Sequence, residues 1–171
     1  MTPTNGPPAA TVQHSRPAAG VTAAAGAAAA VTYGAIKANW AFGGTLGLRG
    51  APPWETGEGG WAGAGGAVRF LAFEGTVVLA AAAVALLLAL VSPWGRRLPR
   101  RPLAAAAWLG CAAVGGAWIG GTVGLLSGSA GPAVDPSLTP ALFWTLWASF
   151  GVLGAAFGAT AWLTREPRSA R

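Results

Sequence analysis

Four long stretches of this chain carry no charged residue: Pro17–Ile36, Gly75–Gly95, Pro102–Val134 and Pro136–Thr164. A hydrocarbon core about 30 Å thick is crossed by about 20 mostly apolar helical residues, so each stretch is long enough. The expected fold is all-α: a polytopic membrane protein with four transmembrane helices. Their expected bounds are about 18–42, 68–91, 103–126 and 141–163, between a disordered tail over 1–16 and a short tail over 165–171. The wider composition agrees. Hydrophobic residues make up 53% of the chain and charged ones 9%, against about a quarter charged in ordinary soluble domains. The run Val77–Val91 holds no polar residue at helical spacing, which separates it from a soluble alanine-rich bundle.

The net charge of +6 does not point to nucleic acid, because the positive residues sit at the ends of the apolar segments. Arg96, Arg97, Arg100 and Arg101 crowd the connection between the second and third segments, Arg165, Arg168 and Arg171 follow the fourth, and Arg16 precedes the first. Lys37, Arg49 and Arg69 lie on the other side with Glu55, Glu58, Glu74 and Asp135. The positive-inside rule therefore places both termini in the cytoplasm. Eight of the nine tryptophans fall near the two proposed interfaces, Trp118 alone lying well inside a segment, as an aromatic belt requires. The lipid bilayer is then the first partner, with anionic lipid expected against Arg96, Arg97, Arg100 and Arg101 at about 1 kcal/mol per arginine. A cleaved signal peptide competes for the first segment, but that segment is too long for a signal peptide's apolar core and its leading region lacks lysine.

Membrane helices associate where small residues let backbones approach. Gly116, Gly120 and Gly124 lie four apart on one face of the third segment, Gly115 and Gly121 widen the groove, and the fourth offers Gly151, Gly154 and Gly158. A tight third–fourth pair is expected, with homo-oligomerisation or a membrane partner as the competing use of the same face.

Lys37 and Glu74 form the sharpest polar feature. Opposite in charge, they lie at similar depth near the same ends of consecutive helices, and Tyr33, Lys37, Trp40 and Gly44 share one helix face. Three readings stand: an ion pair that fixes helix rotation, two charges snorkelling separately, or a binding or proton-relay site with Tyr33. A charge at the membrane centre costs at least about 2.5–3.5 kcal/mol, which makes intramembrane charges functional candidates. The shallow depth here favours the structural pair.

The remaining chemistry is sparse. His14, the only histidine, lies in the tail, and Cys111 is the only cysteine. Histidine-centred metal, haem and serine-protease chemistry has no ligands or base within the bundle, and an intrachain disulfide cannot form. No catalytic, cofactor or metal site is expected.

The run Trp40-Ala41-Phe42-Gly43-Gly44-Thr45-Leu46-Gly47 resembles the end of the first helix in small, uncharacterised four-helix bacterial membrane proteins. There a Trp-Ala-x-Gly-Gly segment leads into a glycine-rich outer loop. The resemblance implies the same fold, a structural weight on Trp40, Gly43 and Gly44, and no activity to carry over. The richness in Ala, Gly and Arg beside a single Lys also suits a high-GC bacterial genome, hence an inner-membrane location. The functional expectation is a non-enzymatic accessory or helix-packing protein. The alternative is a small transporter or ligand-binding module built on Lys37, Glu74 and Tyr33.

Overall fold

The computed structural model describes residues 15–50, 74–128 and 137–165. Residues 1–14 of the expected N-terminal tail, the loop carrying Trp54, Glu55 and Glu58, the Asp135 loop and the last six residues lie outside that set, whereas Ser15 and Arg16, expected in the tail, are helical. Within it the chain is all-helical. Helix α1 spans Ser15–Ala41 and α2 spans Glu74–Val91. A 3-10 turn at Trp94–Arg97 leads into α3, Arg100–Gly110. A π-helical turn, Cys111–Gly115, joins α3 to α4, Gly116–Ser127, and α5 spans Pro140–Leu163. The run Arg100–Ser127 is one continuous rod. Among the described residues this rod, Pro17–Ala41 and Pro140–Leu163 are long and apolar enough to cross a membrane, and Gly75–Val91 is a shorter apolar helix.

Local signals set the ends. Pro99 stands in an extended conformation at the N-cap of α3, and Pro140 begins α5, where its missing N–H leaves no helix bond unmade. Gly128, at φ 67°, stops α4 in the left-handed region that glycine tolerates.

Helix α1 is the centre of the bundle, packed along both α2 and α5. Its buried residues are mostly small: Ala19, Ala23, Ala29 and Ala30, followed by Ile36 and Trp40. A Cβ placed on Gly26 would lie 2.5 Å from the Ala156 Cβ and 2.8 Å from Leu87 Cδ1, so three helices converge where α1 has no side chain. Leu87 and Phe157 fill the surrounding core. Fully buried Thr160 meets Thr22 across the α1–α5 contact, oxygen to oxygen at 3.2 Å. Thr22 donates to the Ala19 carbonyl at 3.0 Å, which leaves Thr160 to donate to Thr22. Such an interhelical bond contributes about 0.6 kcal/mol in a membrane.

The third rod is the outlier, with Ala107 its one fully buried residue. Its contact with α5 runs through glycine: the expected Gly151, Gly154 and Gly158 face of α5 makes it, but on the rod Gly110, Gly115 and Gly121 take part rather than Gly116 and Gly120. Gly110 faces Phe157, Gly115 meets Gly154, Gly121 lies under Trp147, Gly151 lies under Trp118, and Gly158 faces Cys111. Gly116 and Gly120 are exposed, with nothing within 4 Å of a Cβ on either among the described residues; Gly124 is half-buried. The physical reason is helix rotation: Gly116, Gly120 and Gly124 share a face of the regular helix α4, but their spacing does not say which face turns toward α5.

Gly154→Ala should therefore be far worse tolerated than Gly116→Ala. A Cβ at 154 would lie 2.7 Å from the Gly115 Cα, and overpacking of this kind costs about 1–3 kcal/mol. Gly116→Ala is expected to be neutral or slightly stabilising, since alanine is the better helix former. Thermal unfolding of both variants in mild detergent checks the contrast.

Candidate functional site

The end of the bundle where α1 finishes is tied by a backbone clasp. Helix α1 stops at Ala41, and Gly43 and Gly47 turn the chain at φ 81° and 71°. The Asn39 Oδ1 accepts from the Leu46 N–H at 3.0 Å, and the Trp40 indole donates to the Leu46 carbonyl at 3.0 Å. The turned segment then pairs with the start of α5: the Arg49 N–H donates to the Ser137 carbonyl at 2.7 Å, and the Thr139 N–H to the Gly47 carbonyl at 2.8 Å. Leu48 and Leu138 form the antiparallel bridge between them. Beneath it Ile36, Trp40 and Leu142 make a second small core. The Trp-Ala-x-Gly-Gly run is thus the device that ends α1 and folds the chain back over the bundle.

Under this clasp, α1, the third rod and α5 leave a cavity of about 290 Å³. Lys37 and Tyr33 line it from α1, Ala117 and Trp118 from the third rod, and Phe143, Trp147 and Phe150 from α5. Lys37 Nζ stands 4.9 Å from the Trp40 ring centroid and 5.8 Å from that of Tyr33, distances at which a cation is attracted to an aromatic face. Tyr33 meets Phe150 edge-on at 5.1 Å, and Phe143 stacks on Trp147 at 5.9 Å. The ammonium group thus has aromatic neighbours before any ligand arrives.

Trp118 adds an unmet demand. Its Nε1 is buried against Gly151 and has no hydrogen-bond acceptor among the described residues. Leaving such a donor unsatisfied costs about 1–3 kcal/mol.

A larger, almost wholly apolar cavity of about 540 Å³ adjoins the first and shares Tyr33 and Phe150 with it. It opens between α2 and the third rod, with Leu79, Ala83 and Leu86 on one wall, Leu109 and Ala113 on the other, and Leu153 and Phe157 behind. Its polar residues are Tyr33, Thr76 and Ser149. Thr76 is hydrogen-bonded to Tyr33, and the Ser149 hydroxyl donates to the Thr145 carbonyl at 2.8 Å. The Thr122 hydroxyl likewise donates one turn back, to Trp118 at 2.8 Å, as helical hydroxyls commonly do.

Tyr33 and Lys37 are therefore brought to one cavity. Glu74 is the first residue of α2, with its side chain outside the described set. Trp118, Trp147 and Phe150 had no place in the expected polar site. Their signal was available only as Trp118 standing apart from the interfacial tryptophans. Compared with known protein families, curated proteins and solved structures, the chain matches none.

Proposed function

We propose that the chain is a four-pass protein of a bacterial inner membrane, with both termini cytoplasmic, that works by binding rather than catalysis. Its ligand site is the cavity at Lys37 and Tyr33. The observation that carries the reading is the meeting, in one cavity, of the Lys37 cation and aromatic walls from Tyr33, Trp118, Phe143, Trp147 and Phe150. Ligand sites are typically clefts of about 300–1,000 Å³, mostly apolar, with a few placed polar groups. The two adjoining cavities together fall within that range, and their polar atoms cluster at one end. The binding reading on Lys37 and Tyr33 thus takes precedence over a purely structural role for the lysine. A structural ion pair with Glu74 is compatible with it, because a paired lysine still presents its charge to the cavity.

A second reading rests on the outward face of the third rod. Gly116 and Gly120, flanked by exposed Ile119 and Val123, present a close-packing surface that no described residue of this chain fills. Glycine in a helix costs about 1 kcal/mol relative to alanine, so the pair suits a partner helix. In that reading the protein is an accessory subunit or a homodimer.

Three measurements test these proposals. Native mass spectrometry of protein extracted in mild detergent is expected to show a bound small molecule other than phospholipid in the wild type and none such in Ala117→Trp, which fills the cavity. The same adduct in both, or in neither, sinks the ligand-site reading. For topology, single cysteines are placed in a Cys111→Ser background and probed with an impermeant maleimide on intact cells. Gly57→Cys and Ser129→Cys should label directly, Thr4→Cys and Ser169→Cys only after permeabilisation; labelling of Thr4→Cys from outside rejects the four-pass orientation. For the second reading, Gly120→Cys in the same background should cross-link to a second helix on mild oxidation, and a wholly monomeric product would count against a homodimer.

A further inference from the structure

The opposite end of the bundle carries a site of different chemistry. Where α2 ends, α3 begins and α5 ends, a cavity of about 490 Å³ is lined by Arg100, Arg101 and Arg165, with Thr164, Leu90, Ala104 and Ala161. We propose that this cavity is a specific binding site for the phosphate-bearing headgroup of an anionic membrane phospholipid.

Three observations meet here. The first is convergence of like charge: three arginines line one small volume, and none of them is ion-paired among the described residues. An arginine offers five N–H donors in a planar fork, matched to the paired oxygens of a phosphate. One bond is spent within the fold, from Arg100 to the Thr164 carbonyl at 3.4 Å, which leaves most of this donor set for a ligand.

The second observation is how Arg165 is held. Its guanidinium carbon lies 4.7 Å from the Trp162 ring centroid and 5.1 Å from that of Trp108. Two indoles from different helices hold one cation, at a contact distance where the attraction is appreciable. Stacking of this kind orients the fork while leaving its edge open to hydrogen bonds. Arg165 is thus presented to the cavity with part of its ordering cost already met by the fold.

The third observation is the character of the remaining walls. Arg100 opens a helix of 11 residues, continued by the π-turn, and helix N-termini favour anions through their unsatisfied N–H groups and positive dipole end. Leu90, Ala104 and Ala161 form the apolar side. Cationic and apolar walls in one cavity fit a phosphate joined to an acyl-bearing glycerol better than a free anion. Basic pockets between membrane helices hold polyanionic headgroups by this combination.

The proposal separates these arginines from their neighbours. Arg96 and Arg97 belong to the 3-10 turn and do not line the cavity. General attraction to an anionic surface would use all five alike. A built site uses Arg100, Arg101 and Arg165.

The test is lipid titration of the full chain in neutral detergent, read by native mass spectrometry and thermal shift. The probes are diphosphatidylglycerol, phosphatidylglycerol and phosphatidylcholine. Wild type should bind one anionic phospholipid in clear preference to phosphatidylcholine. Arg100→Gln with Arg165→Gln should weaken that binding about tenfold or more, whereas Arg96→Gln with Arg97→Gln, which removes the same charge, should leave it within about twofold of wild type. Equal losses in the two double variants, or equal binding of phosphatidylcholine, would overturn the proposal. Should the first double variant fail to fold, Arg100→Lys with Arg165→Lys decides the matter. The charge is kept and the fork is lost, so anionic lipid binding should still fall severalfold, and unchanged binding rejects the site.

Discussion

The close approach of α1 to α2 and α5 is the constraint on which the bundle depends. It is made possible by the absence of side-chain volume at Gly26 and by the run of alanines around it. Lipid competes equally well for any apolar surface, so membrane helices gain by fitting closely rather than by burying grease. A chain with leucine at these positions would be more hydrophobic and less well packed. The least apolar of the long helices is consequently the most buried, and the others are arranged around it.

That arrangement also places the cavities. Helices α2 and α5 are held against α1 along their lengths, but the third rod is attached chiefly to α5. The space between α2 and the rod stays open as the apolar cavity, and the clasp from Gly47 to Thr139 lies over the adjoining cavity that Lys37 lines. The arginine end is shaped differently, by the short connection after α2, which brings Arg100 and Arg101 beside the last turn of α5. Two chemically distinct cavities thus follow from one asymmetric bundle: one ringed by aromatics around a lysine, the other lined by guanidinium groups.

Much of this was legible before any coordinates. Charge-free stretches marked where helices run, because a charge inside an apolar environment is costly whatever the tertiary structure. The shared face of Tyr33, Lys37 and Trp40 followed from helical spacing alone. The failures have a common cause in contacts between helices. Gly116, Gly120 and Gly124 do share one face of the regular helix α4, but spacing does not say which face a helix turns to its neighbour, and Gly115 and Gly121 meet α5 where Gly116 and Gly120 do not. The weight of α1 was hidden because alanine scores as weakly apolar although it packs well. Arg165 was counted as one of several tail cations, since its position between Trp108 and Trp162 needs two helices to be seen.

The clasp over the lysine cavity has a consequence for variation. Its cross-links are made by backbone groups of Gly47, Arg49, Ser137 and Thr139, and backbone groups are present whatever side chains the positions bear. Closure of that end is therefore largely uncoupled from the identity of Leu138, Phe143 or Trp147, which line the space below. Mutation at the wall positions can reshape what the cavity accepts while the roof stays in place, so related chains have a route to new ligands that does not pass through loss of the fold.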